Sequence, residues 1–112
     1  MNNGFVEIDS QERLEQFLTE SSSAAVLFKH SNTCGVSSRA YNEMAKLKER
    51  VGLITVQKAR VVSDEIEKRW NVAHETPQVL IILDGKLVWD ASHFLIKVNA
   101  VEAALLQVSS EQ

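Results

Sequence analysis

With 112 residues, 45 % of them apolar and 24 % charged, the chain suits a single domain with one compact core. Its 12 Lys and Arg against 15 Asp and Glu leave a net charge of -3, without the clustered basic face that a nucleic-acid partner requires. The longest apolar run, around Val79–Leu83, falls well short of the roughly 18 residues that span a membrane.

Met1–Glu7 has no basic region followed by an apolar run, so no signal peptide is expected. Phe5–Ile8 alternates weakly, as a short edge strand does. Asp9, with Glu12 three residues later, reads as a helix start, and Leu14, Phe17 and Leu18 supply its apolar stripe. A Ser21–Ser23 loop leads into Ala24–His30, a strand apolar enough to be buried on both faces. Val36, Ala40, Met44, Leu47 and Val51 then recur at helical spacing, which predicts a helix from about Gly35 to Arg50, ended by Gly52. Leu53–Lys58 is the next strand, parallel to Ala24–His30 through a right-handed crossover. Ser63 is placed as the cap of a short helix in which Ile66 and Trp70 share a face. A loop, His74-Glu75-Thr76, ends at Pro77. Gln78–Leu83 and Lys86–Asp90 form a hairpin about Asp84-Gly85. Ala91–Lys97 is irregular. Asn99 with Glu102 starts a last helix lined by Val101, Ala104, Leu105 and Val108, and Ser109–Gln112 is expected to fray.

This order describes an α/β domain with a thioredoxin-like fold, a central four-stranded mixed sheet flanked by helices. Cys34 stands where its first core strand turns into a helix, and Thr76-Pro77 immediately precedes its hairpin. Asn32 or Thr33 is expected to cap the Cys34 helix, whose first-turn N–H groups and dipole favour a thiolate over a thiol. The plain alternative is a buried structural cysteine; flanking by Ser31, Asn32 and Thr33 argues for partial exposure. As the only cysteine, Cys34 cannot form an internal disulfide, and a reducing cytoplasm is its natural setting. Ser37, one turn on, is placed either to hydrogen-bond the sulfur or as a surface serine. His30, His74 and His93 are read first as structural histidines. Lys29, Arg39 and Arg60 are ranked first as solvated charges, the alternative being that they meet the carboxylates of a small thiol ligand, and Trp70 and Trp89 as half-buried core aromatics. The scattered His and Cys residues lack metal-ligand spacing.

Thr33-Cys34-Gly35-Val36-Ser37 resembles the Thr-Cys-Pro-Ile-Ser motif of the monothiol bacilliredoxin family. Glu75-Thr76-Pro77-Gln78-Val79, Gly85–Trp89 and Ala91-Ser92-His93 extend the likeness over nearly the whole chain. Gly35 and Val36 depart from that motif, and Cys-Gly-Val-Ser is also similar to the Cys-Gly-Phe-Ser of monothiol glutaredoxins. The resemblance implies a monothiol thiol–disulfide oxidoreductase. Cys34 would remove bacillithiol, a small bacterial thiol, from S-bacillithiolated proteins, and a low-molecular thiol or a protein reductant would resolve the adduct. Bacillithiol would act as co-substrate, with no tightly bound cofactor. Thr33, Gly35, Ser37, Thr76 and Pro77 would support the cysteine, with Pro77 in a cis peptide bond. The glutaredoxin likeness implies an alternative, a carrier of iron–sulfur clusters. A third reading is a non-catalytic interaction module with an incidental cysteine.

Overall fold

A computed structural model describes residues 4–21 and 23–110. Met1–Asn3, Ser22 and residues 111–112 lie outside it, and with them part of the expected serine loop and of the expected fraying tail. Ser109 and Ser110 close the last helix. The elements are β1 (Phe5–Glu7), α1 (Gln11–Glu20), β2 (Ala25–His30), α2 (Gly35–Met44) and β3 (Val51–Thr55), then α3 (Arg60–Trp70), β4 (Gln78–Leu83), β5 (Lys86–Ser92) and α4 (Val98–Ser110). A 3-10 turn, His93–Leu95, links β5 to α4.

The strands form one sheet in the order β1-β3-β2-β4-β5. β2 pairs with β3 in parallel, as the strand–helix–strand pattern predicts, and with β4 antiparallel. The sheet therefore has five strands rather than four. The fifth is the weakly alternating N-terminal segment, which becomes an edge strand by pairing Phe5–Glu7 with Val51–Leu53.

Side-chain alternation along the strands divides the core in two. Val26, Phe28, Val79 and Ile81 meet Ala40 and Met44 of α2 and Val101 and Leu105 of α4 on one face. Ala25, Leu27, Leu80 and Ile82 meet Leu14 and Phe17 of α1 and Val62 and Ile66 of α3 on the other. Every residue of β2 is buried, which explains the apolar run that ends at Phe28 and places Lys29 and His30 inside as well. Trp89 packs against the first cluster and Trp70 against the second, each half-buried as the sequence suggests.

Several helix boundaries differ from the sequence reading. Ser10, not Asp9, caps α1, accepting from the Arg13 N–H at 3.1 Å. α2 stops at Met44, where three-residue bonds from Lys46 to Glu43 and from Leu47 to Met44 tighten the chain. Gly52 does not end a helix; it lies in β3, where the missing side chain lets Ile8, Leu27 and Phe17 close over the strand. Ser63 lies inside α3, which begins three residues earlier. β5 runs on to Ser92, absorbing part of the segment read as irregular. Asn99 lies within α4, not at its cap; the helix starts at Val98, whose N–H donates to Glu43 of α2 at 2.9 Å. The hairpin turn is as read: Asp84 and Gly85 adopt φ of 52° and 78°, the pair of positive angles a two-residue turn demands.

Candidate active site at the start of helix α2

The β2–β4 pairing runs from Ala25↔Ile82 to Lys29↔Gln78. The C-terminal end of β2, leading to Cys34, and the residues entering β4, Thr76-Pro77, thus share one end of the sheet. Cys34 is half-buried and is itself the residue before α2, in extended conformation with φ -120° and ψ 127°. Its carbonyl accepts the first helical bond, from the Ser38 N–H at 3.0 Å. Neither Asn32 nor Thr33 caps α2, and no side-chain cap bond is made.

Those two residues are held elsewhere. Gln57, just beyond β3, donates to Ser31 Oγ at 2.7 Å and to Thr33 Oγ1 at 3.2 Å, and its Oε1 accepts the Asn32 N–H at 3.2 Å. Ser31 and Thr33 also pair their hydroxyls at 3.3 Å. Gln57 braces the cysteine loop from 25 residues away, and no local signal in the sequence marks it. Gly35, exposed at the first position of α2, has open space where a side chain would begin.

Ser37 is not a surface serine, and its hydroxyl is turned to partners other than the sulfur. It is fully buried, its Oγ accepting the Ser31 N–H at 2.9 Å and meeting His30 Nδ1 at 2.8 Å. It ties the first turn of α2 to the end of β2. The His30 ring packs at 5.0 Å from Tyr41 and 5.6 Å from Phe28. Burial pushes the His30 ring below its ordinary range, partly countered by hydrogen bonding to Ser37. His30 is thus a structural histidine, as read.

The Thr76–Pro77 peptide bond is cis. Thr76 is half-buried and Pro77 buried, and the Pro77 carbonyl accepts the His93 N–H at 2.9 Å. His93 Nε2 lies 3.2 Å from Glu75 Oε1. The 3-10 turn and the Thr76-Pro77 loop are therefore joined on both sides of the proline. Arg39 lies exposed on α2, lining with Lys46, Lys97 and Phe94 a groove of about 380 Å³ between α2 and that turn. Arg60 is also exposed, at the far side of the sheet beside His74. Lys29 departs from the sequence reading. It is fully buried, with Nζ 2.6 Å from His74 Nδ1.

The family model for the monothiol bacilliredoxin BrxC matches residues 6–101. The chain belongs to the monothiol bacilliredoxin family. A solved structure described as a candidate oxidoreductase with a thioredoxin fold is 31 % identical, with a TM-score of 0.84 over 91 % of this chain and 94 % of that one. The thioredoxin of Malassezia sympodialis matches at a TM-score of 0.72 with 17 % identity, covering 97 % and 95 % of the two chains. That of Trypanosoma brucei brucei matches at 0.76 with 12 % identity, covering 95 % and 91 %. The last two establish the fold. This bacilliredoxin family member accordingly has the thioredoxin fold and a thiol redox role. No helix among the described residues is long and apolar enough to cross a membrane.

Proposed function

We propose that Cys34 removes bacillithiol from protein mixed disulfides. The observation that carries this reading is the placing of the chain's one cysteine, half exposed at the start of α2, on the sheet end that also bears Thr76-Pro77. The Cys34 thiolate attacks the bacillithiol sulfur of the mixed disulfide. A new S–S bond joins Cys34 to bacillithiol, the old one breaks, and the protein substrate leaves as a thiolate that takes a proton from water. With no second cysteine, the adduct persists until an external thiol, small or on a reducing protein, attacks it and releases Cys34. The Thr76 backbone supplies an edge against which the substrate chain pairs. Arg39 and Lys97, in the groove along α2, supply positive charge for an acidic cap. A reducing compartment is the setting this chemistry requires.

Intact-mass measurement after mixing with a bacillithiol-capped protein tests the reading. The expected product is Cys34 carrying one bacillithiol, with turnover resuming only when free thiol is added. Multiple turnovers without another thiol, or a Cys34 that never takes the cap, would overturn it.

A further inference from the structure

We propose that Lys29 is a positioning residue, holding the loop that carries Thr76-Pro77 by gripping His74 from inside the core. The inference rests on the reading that Thr76-Pro77 forms the substrate edge beside Cys34.

Lys29 is the penultimate residue of β2, directly across from Gln78, the first residue of β4. It is 0 % exposed, and among the described residues no carboxylate comes within ion-pairing distance of it. A buried ammonium without a carboxylate partner opposes folding, and an apolar side chain of similar length would serve the core better. What the lysine does hold is the loop. Its Nζ meets His74 Nδ1 at 2.6 Å, two residues before Thr76, and the same Nδ1 lies 3.2 Å from Ser63 Oγ on α3. The neighbouring Ala73 carbonyl accepts from Gln78 Nε2 at 3.1 Å. His74 is itself exposed, so the grip joins a solvent-facing loop to the interior. A further side-chain tie of the loop, Glu75 with His93, is nearly half exposed on both partners and correspondingly weak.

The protonation states suit this arrangement. Burial brings Lys29 down to about 8, against the pull of Glu67, Asp64 and Glu75. Burial and the Lys29 charge lower His74, against the same three carboxylates. At neutral pH a charged lysine therefore donates to a neutral imidazole. Asp64 and Glu67 on α3, and His74 and Glu75 on the loop, are the titratable groups facing Lys29.

The test compares Lys29→Met and His74→Ala with wild type in two reactions: removal of the cap from a bacillithiol-capped protein with free thiol present, and reaction of Cys34 with a small symmetrical aromatic disulfide. Each variant should raise KM for the capped protein about tenfold, through displacement of the edge, with kcat changed less. The small-disulfide rate, which needs no edge, should stay within about twofold. The double variant should lose no more than the worse single one, since both break one contact. The wild-type advantage over Lys29→Met should fade above pH 8, as Lys29 loses its proton. A wild-type KM in both variants overturns the inference, as does equal loss in the two reactions. His74, being exposed, carries the test alone if Lys29→Met does not fold. Wild-type protein that never takes the cap fails earlier, before any variant is compared, and removes the functional reading together with this inference.

Discussion

Ser37 shows how position in the sequence can single out a residue without disclosing what its side chain meets. Its place one turn after Cys34 suggests contact with sulfur, but its hydroxyl is committed to the Ser31 N–H and to His30. Ser37→Ala would leave both of those buried groups short of a partner. A loss of about 1–3 kcal/mol in urea unfolding is expected. Lys29 reads as a solvated charge for a related reason: a lysine inside an apolar strand carries no local mark of what faces it. Its ammonium sits at about 8 in the fold against an ordinary 10.5. Between those values the unfolded chain binds more protons, so this group makes the fold more stable as pH rises from 8 to 10.5 and less stable below. Lys29→Met should therefore raise stability at pH 7 by about 1–3 kcal/mol, with the gain shrinking above pH 8. Urea midpoints at pH 7 and pH 9.5 would show it. A stability gain alongside a weakened KM would separate the lysine's structural cost from its use.

At the scale of elements, α2 and β3 carry the most information. Cys34 is extended ahead of α2, the conformation favoured before proline, and Gly35 occupies the first helical position with free space around it. Gly35→Pro, which introduces the proline of the Thr-Cys-Pro-Ile-Ser motif that this stretch resembles, should stabilise the domain by about 0.4–1 kcal/mol by restricting the unfolded chain. A thermal melt with an unchanged or lowered midpoint would count against this account of the α2 start. β3 makes the opposite demand. A Cβ on Gly52 would stand 2.6 Å from Ile8 Cδ1, 3.0 Å from Leu27 Cδ2 and 3.1 Å from Phe17 Cε2. Gly52→Ala should cost about 1–3 kcal/mol through overpacking, read as a lower urea midpoint. The same glycine ends a helix on the sequence reading, since glycine there has two physical meanings: freedom of backbone and absence of a side chain. Only the neighbours of β3 select the second.

For the molecule as a whole, the two core clusters clamp a sheet, one end of which carries Cys34, Thr76 and Pro77. Both His30 and His74 are held below their ordinary range, mainly by burial, so each binds its proton more readily in the unfolded chain. The stability that these two histidines contribute should accordingly be fully present above about pH 6.5 and decline as pH falls through the lowered values. Urea unfolding from pH 7.5 to 5 would display that slope, and His30→Phe, removing one titrating group, should flatten it. A slope unchanged in that variant would exclude His30 as a source. The continuous apolar run of β2, the Asp84-Gly85 turn and the cysteine at a strand–helix junction are local patterns, and from them the fold class and the place of the site follow. The edge pairing of β1, the bracing by Gln57, the inward turn of Ser37 and the burial of Lys29 arise between residues 6 to 46 positions apart in the chain. Local periodicity records which face of an element is apolar. What a polar side chain meets once that face is buried depends on segments brought up from elsewhere, and only the tertiary structure decides it.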